Sequence, residues 1–131
     1  MHWPGPVGYT PNPLAGAVIA SSIDVHKVLG PGLLESVYQR CLAYELTLRC
    51  VPFLQQVPLP INYKGLPTDC GYRLDLLVDG AVIVEIKCVD RLAPIHSAQL
   101  LTYLKLSGTP QGLLINFNVP RPIDGVRSIV L

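Results

Sequence analysis

The spacing of apolar residues changes along the chain, and each change predicts a different secondary structure. In the first third, apolar positions recur at helical spacing, which indicates helices with one buried face. Further on, alternating patterns and short apolar runs between Gly and Pro clusters indicate strands, with one more helical stretch after Pro94. The predicted elements are helices over 14–29, 33–49 and 95–106 and strands over 55–63, 71–78, 81–88, 112–117 and 126–131.

This order of elements predicts one α/β domain over 14–131, with a mixed β-sheet flanked by α-helices. A chain of 131 residues has the length of a single domain with its own core. Residues 1–13 are rich in Pro and Gly and predict a flexible N-terminal tail. Pro58 and Pro60 lie inside the first predicted strand and favour an edge position or a bulge there.

Charge and cysteine content narrow the choice of function. Ten Lys and Arg against nine Asp and Glu give a net charge of +1, so the composition carries no argument for nucleic-acid binding. The four cysteines are dispersed without zinc-ligand spacing, which indicates free thiols in a reducing compartment. The sequence shows no leader-like segment, and the apolar run 14–20 is too short to cross a bilayer. We therefore expect a cytoplasmic protein with no membrane partner.

Charged residues interrupt the most apolar part of the chain, the predicted hairpin around Asp79-Gly80. A three-residue loop that pairs Leu77 with Ala81, or another register of the same parity, keeps one face of this hairpin apolar. It also gathers four charged side chains at one end of the opposite face. These are Arg73, Asp75, Glu85 and Lys87.

The residues alone leave two explanations for this charged cluster. The first is a pair of cross-strand ion pairs, Arg73 with Glu85 and Asp75 with Lys87, each worth at most about 1 kcal/mol at a surface. The second is a divalent-metal site, in which the two carboxylates chelate Mg²⁺ and the ammonium steadies an attacking water.

Asp75, nine intervening residues and then Glu85-Ile86-Lys87 resemble the metal-binding signature of the PD-(D/E)XK nuclease superfamily. Leu74 stands where the superfamily's name has Pro, a position that varies widely. GLLESVY at 32–38 resembles the motif of the GxxExxY proteins, small bacterial members of that superfamily. The blocks VHKVLGPG, CGYRLDLLV and APIHSAQLLTYL also look like theirs. The resemblance implies a restriction-endonuclease-like α/β core.

The resemblance also implies a role for each matching residue of the charged cluster. Asp75 and Glu85 would be the main ligands of Mg²⁺ or Mn²⁺, assisted by the backbone carbonyl of Ile86 and the carboxylate of Glu35. Lys87 would orient the attacking water. The candidate catalytic residues are therefore Glu35, Asp75, Glu85 and Lys87. From the residues alone, Glu35 is also readily explained as a first-turn acid that stabilises its helix through the helix dipole.

Candidate substrate-binding residues come from the following helix and from the first hairpin strand. Gln99 and Tyr103 resemble the QxxxY element of RecB-like and lambda-exonuclease-like members, where that element borders the metal site. His96 falls on the same helix face by spacing and, like Arg73, is a candidate phosphate contact. The alternatives are an ordinary helix edge for the first two residues and a solvated surface charge for Arg73.

The predicted function is Mg²⁺- or Mn²⁺-dependent hydrolysis of phosphodiester bonds in nucleic acid, DNA in preference to RNA. The alternative is a catalytically silent module of the same fold that binds nucleic acid or a protein partner. A third class is a structural or assembly protein, in which the apolar first helix and the tail form dimer contacts. The nuclease prediction also includes a homodimer. So short a chain has no separate recognition domain, so sequence specificity would have to come from loops, dimerisation or a partner.

Overall fold

The computed structural model describes residues 12–69 and 71–131. The helices are α1 (Pro13–Leu29), α2 (Glu35–Leu48) and α3 (Pro94–Ser107). The strands are β1 (Phe53–Pro58), β2 (Ile61–Tyr63), β3 (Leu66–Thr68), β4 (Arg73–Val78), β5 (Val82–Lys87), β6 (Gln111–Asn116) and β7 (Val126–Val130). A 3-10 turn, Pro122–Gly125, precedes β7.

Five strands form one mixed sheet in the order β1-β4-β5-β6-β7. β5 and β6 run parallel and are connected through α3, whereas the other neighbouring strands are antiparallel. A parallel pair needs such a crossover, because a short turn joins only antiparallel strands. The mixed sheet flanked by helices confirms the predicted fold class.

Buried apolar side chains form a layer on each face of the sheet. α1 and α2 cover one face, with Tyr38 and Leu42 packed on strand residues such as Val84. α3 covers the other face, where Leu100 packs with Ile83. Both faces of β5 are therefore buried, and a charged side chain in this strand must tolerate an apolar environment.

The first predicted strand is two separate pieces in the structure. β1 ends at Pro58 and lies at the edge of the sheet, as this proline indicates. The following residues, Ile61–Tyr63, pair instead with Leu66–Thr68 in a separate two-stranded sheet. We call this hairpin, residues 61–68, the arm.

α1 begins one residue before the predicted domain boundary. The side-chain Oδ1 of Asn12 accepts the N–H of Leu14 at 2.9 Å, and Pro13 is the first helical residue. The rest of the predicted tail, residues 1–11, lies outside the described residues. Within the described residues, no helix is both long enough and apolar enough to cross a membrane.

The cysteines agree with the prediction of free thiols as far as the structure describes them. Cys41, Cys50 and Cys88 are free. Cys70 lies outside the described residues.

Candidate metal site at the fork between β4 and β5

The hairpin of β4 and β5 pairs Val78 with Val82 across a three-residue turn. The predicted pairing of Leu77 with Ala81 is wrong by two residues, whereas its parity is right. A shift by two residues leaves the same side chains on each face, so the hydrophobic pattern does not distinguish these registers.

The observed register removes the predicted cross-strand ion pairs. It sets Asp75 opposite Glu85, two carboxylates instead of two opposite charges. Arg73 is exposed at the start of β4 and Lys87 is half-buried at the end of β5. The salt bridges among the described residues lie elsewhere and join Arg49 to Asp24 and Arg121 to Asp124. The ion-pair explanation of the charged cluster is therefore wrong.

β4 and β5 separate at Asp75, and carboxylates fill the gap between the strands. The backbone pairing stops at Leu76 and Val84. Beyond it, the N–H of Ile86 donates to Asp75 Oδ2 at 2.8 Å, and the N–H of Asp75 donates to Glu85 Oε2 at 3.2 Å. Side-chain oxygens thus replace the carbonyl acceptors of a regular ladder. The two strands form a fork with both carboxylates at its branch point.

β1 is interrupted at the same level of the sheet. Its pairing with β4 skips Gln56 and Asp75. Gln56 has a φ of 50°, in the left-handed region that residues other than Gly seldom adopt. Alternation along β4 would place Leu74 on the same face as Leu76, but Leu74 packs with Tyr103 on the α3 face instead. The chain therefore twists at Asp75.

The branch point of the fork is electrostatically unfavourable. Glu85 is only 6% exposed, and burial raises the pKa of its carboxyl from 4.5 to about 9. The carboxylate of Asp75 adds to this rise, whereas the ammonium of Lys87 opposes it. Like charges in a buried site need a proton or a cation to offset them. Without a cation, Glu85 is therefore protonated near neutral pH.

The end of β5 is held in place by β6. The carbonyl of Lys87 accepts the N–H of Phe117 at 3.0 Å, on the β6 side. Successive carbonyls of a strand point to opposite sides, so the carbonyl of Ile86 points toward β4 and the fork. Asn116 fixes the chain just beyond, because its side chain accepts the N–H of Val89 at 3.1 Å and donates to the Val89 carbonyl at 2.9 Å.

Glu35 is exposed as the first residue of α2. Burial and the Glu35 carboxylate both raise the pKa of the Cys88 thiol, which places Glu35 beside the end of β5. Tyr38, the last residue of the GLLESVY motif, is buried; its hydroxyl donates to the Gly30 carbonyl and accepts the N–H of Leu33 at 3.2 Å. Tyr38 therefore fixes the loop that leads into Glu35.

α3 brings Tyr103, a predicted substrate-binding residue, toward the fork, where it packs with Leu74. Burial and the nearby carboxylate of Glu85 raise the pKa of the Tyr103 phenol. Gln99 lies one turn earlier on α3 and is half-buried. His96 caps the start of α3, because its Nδ1 accepts the N–H of Ala93 at 3.0 Å. In the neutral ring the proton is then on Nε2, which makes that nitrogen a donor.

Three glutamines beside the fork were not singled out by the sequence reasoning. Gln56 Nε2 donates to Gln39 Oε1 at 2.8 Å and lies 3.5 Å from Asp75 Oδ1. Gln39 Nε2 donates to Gln55 Oε1 at 3.3 Å. These amides connect α2 and β1 with the branch point. Gln39 is half-buried and Gln55 and Gln56 are exposed, and neutral side chains at such positions leave no periodic pattern. The only sequence signal was the polar pair Gln55-Gln56 inside a strand.

The donor set of the fork fits a hard divalent cation. Asp75 and Glu85 supply carboxylate oxygens and Ile86 directs a carbonyl to the same place; oxygen ligands of this kind suit Mg²⁺ and Mn²⁺. Within residues 12–69 and 71–131, no three Asp, Glu, His or Cys side chains lie close enough together to enclose an ion. Glu35 is thus outside the compact pair, and water or substrate oxygens would complete the coordination.

Comparison with models of protein families shows which family has this arrangement of helices, strands and carboxylates. The model of the PD-(D/E)XK nuclease superfamily matches residues 12–129, which include α2, the fork and α3. The comparisons with curated proteins and with solved structures returned no match. The narrower resemblance to the GxxExxY proteins stays a prediction. The chain belongs to the PD-(D/E)XK nuclease superfamily.

Proposed function

We propose that this protein is a nuclease that hydrolyses phosphodiester bonds with Mg²⁺ or Mn²⁺ bound at the fork. The observation that carries the proposal is the carboxylate pair of Asp75 and Glu85, placed where β1, β4 and β5 lose their regular pairing. A strongly perturbed acid in such a setting is a mark of functional sites, and a bound cation would offset its cost. Membership of a nuclease superfamily supports nucleic acid as the substrate class.

Each residue of the fork has a proposed role. Asp75 and Glu85 hold the cation, the carbonyl of Ile86 is a further oxygen ligand, and Glu35 holds a water ligand from α2. When bound, the cation supplies a water of lowered pKa and positive charge beside the phosphate. The ammonium of Lys87 orients the attacking water and offsets the negative charge that develops on the phosphate oxygens.

The remaining predicted residues are proposed to hold the substrate. Tyr103 and Gln99 border the fork on the α3 side and position the strand next to the reacting phosphate. His96 donates from Nε2 to a phosphate oxygen, and Arg73 contacts a neighbouring phosphate from the start of β4. We propose DNA in preference to RNA as the substrate.

Calorimetric titration with Mg²⁺ and Mn²⁺ tests the site directly. The wild type should bind either ion, and Asp75→Asn and Glu85→Gln should lose measurable binding because each removes a charged ligand. Glu45→Gln is the matched control. Glu45 is a carboxylate of α2 that lines the groove toward α1, away from the fork, so its loss should leave metal binding unchanged.

Nuclease assays on the same samples, with single- and double-stranded DNA and RNA, test the reaction. Cleavage that EDTA and both fork variants abolish supports the proposal. Nucleic-acid binding that survives Glu85→Gln, without cleavage by the wild type, identifies the silent binding module instead. If neither ion binds at millimolar concentration even with nucleic acid present, the proposal is wrong.

A further inference from the structure

The arm formed by β2 and β3 presents an aromatic ring and an ammonium to solvent. Tyr63 and Leu66 face each other across the turn at its tip and are 63% and 62% exposed. The Lys64 Nζ lies 5.4 Å from the centre of the Tyr63 ring. Within the described residues, β2 and β3 pair only with each other. Large apolar side chains that are exposed together mark surfaces that bind a partner.

The tip of the arm is a tight turn with a defined geometry. Lys64 and Gly65 have φ values of 49° and 87°, the positive pair required by the tight two-residue turn that matches hairpin twist. Asn62 Oδ1 accepts the N–H of Gly65 at 2.8 Å, which fixes the turn from its flank. Lys is strained in the left-handed region and Gly is not, so the geometry of the turn alone does not explain why a Lys occupies position 64. A preorganised tip also loses little entropy on binding.

The stem of the arm is anchored beside the fork. Leu59, just before β2, is buried with Tyr103 against α3, and its N–H donates to the Tyr72 carbonyl at 2.9 Å. The Tyr72 ring packs on Tyr103, with 6.2 Å between the ring centres. Tyr103 in turn packs with Leu74, the residue that precedes Asp75 of the fork. Strands of three residues extend about 10 Å, a length that a nucleic-acid strand of a few nucleotides would span.

We propose that the arm binds an unpaired nucleic-acid strand, with a base stacked on Tyr63 and a phosphate against Lys64. The proposal rests on the proposed function and narrows its substrate to single-stranded nucleic acid or an unpaired end, since bases stack on a protein ring only when they leave the duplex. Arg73 continues the positive charge from the arm toward the fork. The net charge of +1 supplies no overall attraction to phosphates, so we expect stacking to supply much of the affinity.

Fluorescence anisotropy in EDTA, where no cleavage occurs, tests the proposal with a labelled single strand of about 15 nucleotides and with its duplex. The wild type should bind the single strand more tightly. Tyr63→Ala should weaken this binding about tenfold and Tyr63→Phe should retain it. Lys64→Gln should weaken it and lower the slope of log K against log salt by about one. Tyr44→Ala is the matched control, because Tyr44 on α2 is also 63% exposed.

The outcomes separate the arm from the metal site. Equal affinities of Tyr63→Ala and Tyr44→Ala overturn the proposal, as does a wild type that binds no single strand. Self-association that Tyr63→Ala abolishes, with strand binding unchanged, assigns the arm to contact with a second copy and also overturns it. Loss of strand binding in Tyr63→Ala supports the arm even in a protein that binds no Mn²⁺; the hydrolytic function alone then fails.

Discussion

The raised pKa of Glu85 should make the metal-free protein less stable as the pH rises, and Glu85→Gln should remove this part of the pH dependence. The carboxyl titrates at 4.5 in its unperturbed state and at about 9 in the folded protein. Between these values the folded state holds a proton that the unfolded chain has released. The stabilising effect of the raised pKa is therefore complete below pH 4.5 and disappears as the pH rises to about 9.

The size of the effect follows from the number of protons. One proton taken up on folding changes the free energy of unfolding by up to about 1.4 kcal/mol per pH unit. From about pH 6 to about pH 8, the metal-free wild type should therefore lose about 2 to 3 kcal/mol relative to Glu85→Gln. The Gln side chain keeps the size of the carboxyl and an acceptor for the N–H of Asp75, but it does not titrate.

Urea unfolding followed by circular dichroism, in EDTA at constant ionic strength, measures this difference. Titrations shared by both proteins cancel when the two pH profiles are subtracted, and Glu45→Gln controls for the loss of an acidic side chain elsewhere. Parallel profiles of wild type and Glu85→Gln, within about 0.5 kcal/mol over that range, would contradict a raised pKa of Glu85, because its carboxyl would then be ionised in the folded metal-free protein.

Three further predictions concern binding and local structure. Glu85 must lose its proton to hold a cation, so the calorimetric Mn²⁺ dissociation constant should fall by up to about tenfold per pH unit from about pH 6 to 8, and a constant value contradicts this. Gln56→Gly should raise the free energy of unfolding by up to about 1 kcal/mol, because Gly adopts a positive φ without strain, and it should weaken Mn²⁺ binding because the contact with Asp75 is lost. Asp79 has a similar φ of 48°, and Asp79→Gly should leave Mn²⁺ binding unchanged. Equal Mn²⁺ affinities of the two variants would show that Gln56 is not part of the metal site. Tyr38→Phe should cost about 1 to 2 kcal/mol in urea unfolding and the exposed Tyr44→Phe under about 0.5 kcal/mol; equal losses would show that the Tyr38 hydroxyl does not fix its loop.

The hydrophobic pattern predicts β4 and β5 well, because β4 has one buried face and one more exposed face and β5 is buried on both faces. Alternation determined the parity of the hairpin and gathered its charges at one end. It could not determine whether Asp75 lies opposite Glu85 or Lys87, because registers two residues apart bury the same side chains. A shift of two residues therefore decides whether Asp75 lies opposite the carboxylate of Glu85 or the ammonium of Lys87.

Other parts of the site leave no periodic signal. Pro58 correctly indicates that β1 is an edge strand, but nothing in the pattern shows that β2 leaves the main sheet and pairs with β3. Lys64-Gly65 is a turn signal whose partner strand is only three residues long. Gln39 and Gln56 contact each other only because β1 and α2 pack together, a tertiary contact that spacing along the chain does not encode.

The fork concentrates several unfavourable features at one level of the sheet, and they are connected. Interrupted pairing opens space at Asp75, the space admits a second carboxylate, and burial then keeps a proton on Glu85. β5 meanwhile pairs with β6 at all six of its residues, which stabilises the strand that carries Glu85. The proton that costs the metal-free protein stability at high pH is the proton a cation must displace. Metal binding should therefore be tightest where the metal-free protein is least stable, so that saturating Mn²⁺ flattens the pH dependence of unfolding.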